Sequence, residues 1–249
     1  MSDYQLRFAG IARLYGVAAL EKFRAAHVCV VGIGGVGSWA AEALARSGIG
    51  TITLIDLDDV CISNINRQLH ALTDTIGQDK VAVMAQRIKA INPDCIVHQV
   101  EDFVTTDNLR QLISSDIDYV VDAIDSIKAK VALLAYCKRN KIKVISTGGA
   151  GGQTDPTQIQ IADLTQTIND PLLAKVRNSL RRDYNYSRNP KRRFGIDCVF
   201  STEQLVYPQP DGSVCQQKTA QLNADGEASS MRLDCSGGFG AVTVVTASF

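Results

Sequence analysis

Residues 27–37, His27-Val28-Cys29-Val30-Val31-Gly32-Ile33-Gly34-Gly35-Val36-Gly37, decide the fold. An apolar, β-branched run breaks into glycines, and a helical pattern follows over Val36 to Arg46. Gly32, Gly34 and Gly37 stand at the spacing at which a strand turns tightly, its backbone approaches a phosphate, and a helix packs against the sheet. The helix that starts there aims unpaired amides and its positive dipole end at the anion. Alone the loop specifies only a nucleotide: NAD, FAD and ATP stay open.

Outward from this loop, short apolar runs alternate with helical patterns. Strands are predicted at Val28 to Gly32, Thr51 to Asp56, Ile96 to Val100, Asp118 to Asp122 and Ile142 to Ser146. Helices are predicted at Val36 to Arg46, Lys80 to Ile91 and Ile127 to Lys138. That alternation predicts an α/β fold, a doubly wound, Rossmann-like nucleotide-binding sheet. After Gly148-Gly149-Ala150-Gly151-Gly152 the pattern decays into short strands (Gln158 to Ile161, Gln204 to Tyr207), a charged helix near Pro171 to Arg182, and turns such as Pro210-Asp211-Gly212. We read residues 1–249 as one domain, with a nucleotide-binding core at about 25–150 and an irregular substrate-facing half at about 151–249.

The 26 Lys and Arg balance the 26 Asp and Glu, so a nucleic-acid partner needs a local basic patch. Seven scattered cysteines, several in apolar runs, predict a reduced, cytoplasmic protein. Met1 to Ala12 lacks the pattern of a secretory signal. The uncharged stretches Ala25 to Ala41 and Ser236 to Phe249 fall short of the roughly 20 apolar residues of a spanning helix. The second is compatible both with a core element and with peripheral membrane association.

The chemistry lies beyond the second strand, in Asp56-Leu57-Asp58-Asp59-Val60-Cys61-Ile62-Ser63-Asn64-Ile65-Asn66-Arg67-Gln68 and then Lys80. A dehydrogenase needs one acid there, for the ribose. Here Asp56 and Asp58 are followed by Asn64, Asn66, Arg67, Gln68 and Lys80, amide and cationic groups suited to a triphosphate. The bland alternative is capping for Asn64 and Asn66 and surface charge for Arg67 and Lys80. Asp122 and Asp125 end a buried strand, where α/β sheets place ligands, and a carboxylate there can hold magnesium on phosphate oxygens. Asp125 is the better placed for the metal, since Asp122 can instead cap the next helix.

These residues together resemble the ubiquitin-activating-like superfamily, which includes the adenylating enzymes of molybdopterin and thiamine biosynthesis. Three further stretches resemble a bacterial tRNA-modifying branch of it: Arg7 to Gly16, Thr147-Gly148-Gly149-Ala150-Gly151-Gly152-Gln153-Thr154-Asp155-Pro156-Thr157-Gln158, and Asp197 to Glu203. The resemblance implies ATP-dependent ring closure of threonylcarbamoyladenosine beside the anticodon, through an acyl adenylate that the adjacent carbamoyl group resolves. It implies that Gly34, Gly35, Gly37, Asp58, Asn66, Arg67, Lys80 and Asp125 bind ATP and magnesium, with Arg67, Lys80 and Asp125 catalytic, and that the chain is a homodimer. Relatives in cofactor biosynthesis carry a second amino-terminal arginine where Gly10 stands. Arg7 or Arg13 would then be the one to reach a partner's ATP, and we place Arg13 in the nucleotide set. No Cys-x-x-Cys pair occurs, so no structural zinc is expected. Cys198 and Cys235 are expected to be buried, although the resemblance leaves open a partnership with a cysteine desulfurase. A monovalent cation on the glycine-rich turns also stays open.

One segment supports an RNA substrate independently. Lys175, Arg177, Arg181, Arg182, Arg188, Lys191, Arg192 and Arg193 cluster around Tyr184 and Tyr186 with one acid, Asp183. Such cations pair with phosphates while tyrosines stack on unpaired bases. The alternative chemistry is adenylation of the carboxyl terminus of a ubiquitin-like sulfur carrier. A nicotinamide-dependent oxidoreductase would leave Asn64 to Gln68 and Lys80 unexplained.

Overall fold

Alternate residues of the first strand face opposite ways, and both faces are covered. Val28 and Val30 of β1 (His27–Val31) join one apolar cluster, while Cys29 and Val31 join another. A central strand buried on both faces is the mark of a doubly wound sheet. The computed structural model describes residues 2–189, 191–209, 211–216 and 240–249. Its main sheet also contains β2 (Thr51–Ile55), β3 (Ile96–Val100), β4 (Tyr119–Asp122), β5 (Lys143–Thr147), β6 (Ile159–Asp163) and β7 (Asp197–Ser201), in the order β3-β2-β1-β4-β5-β7-β6. All neighbours are parallel except β6, which runs antiparallel to β7. The predicted Rossmann-like sheet is therefore observed. The chain order reverses between β1 and β4, which opens a crevice at the carboxyl edge of the sheet.

Helices α1 (Asp3–Arg7), α2 (Ala9–Tyr15) and α3 (Val17–Ala25) precede the sheet. Tyr4 Oη donates to Gly48 O at 2.6 Å, and Arg7 reaches Ile91 O. Both acceptors lie where helices end: Gly48 just after α4 (Gly37–Arg46), and Ile91 as the last residue of α5 (Lys80–Ile91). The amino-terminal helices thus pack at the amino edge, opposite the crevice. Further along come the short α6 (Leu109–Leu112), then α7 (Ile127–Arg139) and α8 (Pro171–Asp183), which pack together over β5 and β7.

The second half shares the core of the first. Residues 197–201, expected only as a motif, form β7 inside the sheet, and Leu173, Val176, Leu180 and Phe200 enter the main core. An amphipathic pattern cannot be read from Asp-Cys-Val-Phe-Ser because the strand is buried on both faces. The strand expected at Gln204 to Tyr207 is only the two-residue β8 (Tyr207–Pro208), paired with β9 (Val214–Cys215). The carboxyl-terminal segment from Gly240 contains α9 (Thr243–Thr246), with Val245 fully buried. No helix among the described residues is long and apolar enough to cross a membrane.

Candidate active site

Gly32 adopts φ +87°, and a Cβ there would meet Ala123 O at 2.8 Å. A Cβ on Gly37 would strike the carbonyl oxygen of Gly32. These two glycines let the loop turn and let α4 close on it. Gly34 and Gly35 line the loop between them; beside Gly35 lie Thr246 and Arg67. Asp56, at the end of β2, accepts from Ile33 N at 2.5 Å and from Asp58 N at 2.9 Å. Burial pushes the Asp56 carboxyl up, while Lys80 and the two amides pull it back. Asp56 therefore fixes the shape of the glycine loop as well as standing where a ribose would be held.

The following loop brings its polar residues together, though not all into the crevice. Lys80 is buried, and its Nζ lies 2.8 Å from Asp58 Oδ2, whose side chain is 58% exposed. Asn64 is buried and accepts from Cys61 N at 3.0 Å, a capping role within its own turn. Its carboxamide oxygen is thus engaged by the turn rather than offered to a nucleotide. Arg67 Nη1 donates to Ser63 O at 2.8 Å and to Asn66 Oδ1 at 3.0 Å. Gln68 is buried beside Gly34, with Oε1 unpartnered among the described residues.

The Arg67 turn is held from two sides. Trp39 Nε1, on α4, donates to Arg67 O at 3.1 Å, and Thr246 Oγ1 donates to the same oxygen at 3.3 Å. Asn66 Nδ2 donates to Ala241 O at 2.7 Å, and Thr243 Oγ1 to Asn66 O at 2.7 Å. The carboxyl-terminal segment therefore forms one wall of the crevice. Nothing in its composition announced that, because its contacts span more than 170 residues of sequence.

Asp122 requires a correction. It was expected among the nucleotide ligands, yet it and Lys130 are both fully buried and paired at 2.9 Å. Ser146 Oγ donates to the same carboxylate at 2.7 Å, and Lys130 Nζ also bonds Ile124 O at 2.9 Å. Asp122 is a foundation under the loop, not a ligand in the crevice. Lys130 was not among the residues singled out from the sequence. It sits three residues after Ile127 and four before Leu134, on the apolar stripe of α7, which was the available signal. Asp125 by contrast is exposed at the start of α7, with no bonded partner among the described residues. No group of three or more His, Cys, Asp or Glu among the described residues could cage a metal. One free carboxylate beside a phosphate cradle does suit magnesium, which keeps waters and takes its other oxygens from phosphates.

Arg13 is exposed on α2 at the amino edge, so it does not face its own glycine loop. Arg7 is engaged by Asp3 at 2.6 Å. Cys198 is fully buried and burial pushes its thiol up, which removes its nucleophilicity. Cys235 lies outside the described residues.

The basic cluster divides. Arg177 is corrected from RNA contact to internal brace: its Nη1 bonds Leu164 O at 3.0 Å, Thr167 O at 3.1 Å and Thr167 Oγ1 at 2.8 Å. Arg181 lies over the Phe194 ring and bonds Ser187 O, and Arg182 pairs with Asp183 at 2.7 Å. Tyr186 packs edge-on against Phe194, and both it and Tyr184 are partly buried, so they are not free stacking platforms. Lys175, Arg188, Lys191, Arg192 and Arg193 remain exposed. The loop carrying the last four enters β7 from the amino edge, where Asp163 accepts the amides of Phe194 and Gly195 at 3.1 and 2.7 Å. It lies a full strand length from the crevice, roughly 17 Å at 3.3 Å per residue.

A fixed phosphate loop, two cations and a free carboxylate at one crevice can hold a nucleoside triphosphate and expose its α-phosphate to a carboxylate nucleophile. Comparison with known proteins agrees with that chemistry. The chain is 60% identical over 246 residues to the tRNA threonylcarbamoyladenosine dehydratase of Escherichia coli K12, covering 99% of this chain and 90% of the relative. It is 56% identical to the protein of the same name from Haemophilus influenzae, covering 100% and 90%. Among solved structures, it superposes on the E. coli dehydratase TcdA in complex with ATP with a TM-score of 0.85 at 55% identity, covering 99% of this chain and 90% of that one. An AMP complex of TcdA superposes with a TM-score of 0.86 at 57% identity, covering 100% and 91%. The ThiF family model matches residues 6–219, and the chain belongs to the ThiF family.

Proposed function

We propose that this chain catalyses the ATP-dependent dehydration of threonylcarbamoyladenosine in tRNA to its cyclic form. The carrying observation is near-full-length identity to the E. coli and H. influenzae dehydratases, in a chain whose crevice has the parts that adenylation needs. ATP lies with its phosphates on Gly32 to Gly37 and its ribose toward Asp56 and Asp58. Asp125 would hold magnesium, which would supply positive charge to offset that of the triphosphate. The threonine carboxylate attacks the α-phosphate and releases pyrophosphate; Arg67 and Lys80 offset the charge that develops there. The carbamoyl group then attacks the acyl carbon, AMP leaves with its bonding electron pair, and one N–H proton is lost to solvent. The net change is loss of one water from the nucleoside and conversion of ATP to AMP and pyrophosphate.

The exposed cations Arg188, Lys191, Arg192 and Arg193 grip tRNA phosphates away from the reacting base. The enzyme works as a homodimer in which Arg13 of one copy serves the nucleotide of the other, because Arg13 faces away from its own crevice.

The test is mass spectrometry of nucleosides from threonylcarbamoylated tRNA incubated with the protein, ATP and magnesium. Loss of one water from the modified nucleoside is expected. An unchanged mass, with ATP–pyrophosphate exchange stimulated only by a ubiquitin-like carrier, overturns the reading.

A further inference from the structure

The guanidinium of Arg67 is held by one corner. Its Nη1 donates to Ser63 O at 2.8 Å and to Asn66 Oδ1 at 3.0 Å. Its Nε and Nη2 make no hydrogen bond among the described residues. Those two nitrogens form the parallel N–H edge with which a guanidinium grips a phosphate. The stem of the side chain runs beside the glycine loop, since a Cβ built on Gly35 would stand 3.5 Å from Arg67 Cγ and 3.7 Å from Cδ. Arg67 is thus anchored through Nη1 and keeps its two-pronged edge free.

The group that holds this corner is itself held. Asn66 accepts from Arg67 at Oδ1 and donates from Nδ2 to Ala241 O at 2.7 Å. A guanidinium can only donate and a carbonyl can only accept, so both partners fix the same orientation of the carboxamide. Asn66 is exposed, yet both ends of its side chain are bonded to protein. That makes it a strut between Arg67 and the carboxyl-terminal segment rather than a group held out to a ligand. The same segment pins its backbone, because Thr243 Oγ1 donates to Asn66 O at 2.7 Å. The segment is seated in turn by the fully buried Val245 and by Gly240 O, which accepts from Gly152 N at 2.8 Å.

We propose that Asn66 is a positioning residue for Arg67: it carries the seating of the carboxyl-terminal segment, through Ala241 O and Thr243, to the guanidinium, and so sets the pose in which Arg67 meets the α-phosphate. This rests on the placement of Arg67 at the α-phosphate in the reading above. Without the strut the guanidinium keeps Ser63 O alone and can turn about that one bond. A cation already in place stabilises developing charge with no reorganisation at the moment of reaction, whereas a mobile one must first be ordered. The loss therefore falls on the chemical step and not on the binding of ATP.

The test is a double-mutant cycle in the full chain, read by ATP–pyrophosphate exchange with threonylcarbamoylated tRNA and magnesium. Asn66→Ala is expected to lower kcat about ten-fold, with KM for ATP nearly unchanged and a melting temperature near that of the wild type. In the Arg67→Ala background the same substitution should cost nothing further, because the group it positions is gone. Thr243→Val leaves the Asn66 side chain in place and so probes the segment alone. It should lower kcat by a smaller factor, and only where Arg67 is present; Thr243→Ser, which keeps the hydroxyl, should restore the rate. Equal falls in kcat with and without Arg67, a rise in KM for ATP in place of the fall in kcat, or no fall at all overturns the assignment. If the wild type exchanges only with a ubiquitin-like carrier, the dehydratase reading falls, and the same cycle run with that carrier still decides the role of Asn66, since attack on the α-phosphate is common to both. If the wild type exchanges with neither, both fall.

Discussion

Two lysine–aspartate pairs sit at the carboxyl ends of neighbouring parts of one sheet, with nearly equal bond lengths and opposite meanings. Lys130 and Asp122 are 2.9 Å apart and fully buried. Lys80 and Asp58 are 2.8 Å apart, but the Asp58 side chain is 58% exposed. The first pair is closed by Ser146 and the carbonyl of Ile124, so nothing remains to offer a ligand. The second opens on the crevice, where a bound phosphate can compete for the lysine. Chemistry alone did not distinguish an aspartate that supports the site from one that serves in it; access does.

The largest effect that can break this contrast comes from Lys130→Met. It leaves Asp122 charged, buried and unpaired, and should cost about 3–5 kcal/mol of stability. Denaturant unfolding measures this directly. A loss below about 1 kcal/mol would mean that the pair is not structural.

On the open side the expected loss is catalytic. Arg67→Ala and Asp125→Ala should each lower ATP–pyrophosphate exchange, measured with substrate tRNA, by about 10²–10³-fold. Their melting temperatures should stay near that of the wild type, because Asp125 is exposed and Arg67 only partly buried. Near-normal exchange would remove either residue from the site.

The contrast also marks what a sequence can carry. The glycine spacing, the strand–helix alternation and the polar run from Asp56 to Lys80 are local patterns, and they led to the sheet and to one side of the crevice. Burial is not local. Asp122 and Asp125 are three residues apart on the chain, yet one is fully buried against Lys130 and the other is exposed. The bracing role of Arg177 is equally a tertiary outcome, whereas a buried Cys198 and a capping Asn64 were already among the readings of the sequence. The wall built by Thr243 and Thr246 was invisible for the same reason, since its partners are Asn66 and Arg67 at the far end of the chain.

His70 sharpens the picture from the loop between Arg67 and Lys80. It is 1% exposed, and both ring nitrogens are unpartnered among the described residues. Burial first, then Lys80 and Arg87, lower its pKa to about 4. The unfolded chain, with an ordinary value of 6.5, takes up a proton between these limits while the folded protein does not. Stability therefore falls as pH drops from about 6.5 to about 4, by up to about 3 kcal/mol. Urea midpoints across that range should flatten in His70→Gln, and an equally steep profile in that variant would assign the pH dependence elsewhere.

The smallest effect tests the same distinction, inside against outside, within the basic cluster. Arg177 makes three bonds to Leu164 and Thr167, whereas Arg192 is exposed. Arg177→Ala should cost about 1–3 kcal/mol of stability, because two carbonyls and a hydroxyl lose a charged donor, and should leave the salt dependence of tRNA binding unchanged. Arg192→Ala should leave stability unchanged and reduce the slope of log affinity against log salt by about 0.7–1, the share of one phosphate contact. Because this loop stands roughly 17 Å from the crevice, the same variant should raise KM for tRNA without lowering kcat. A fall in kcat with an unchanged salt slope would mean that the loop acts on the reacting base and not on the distant phosphates.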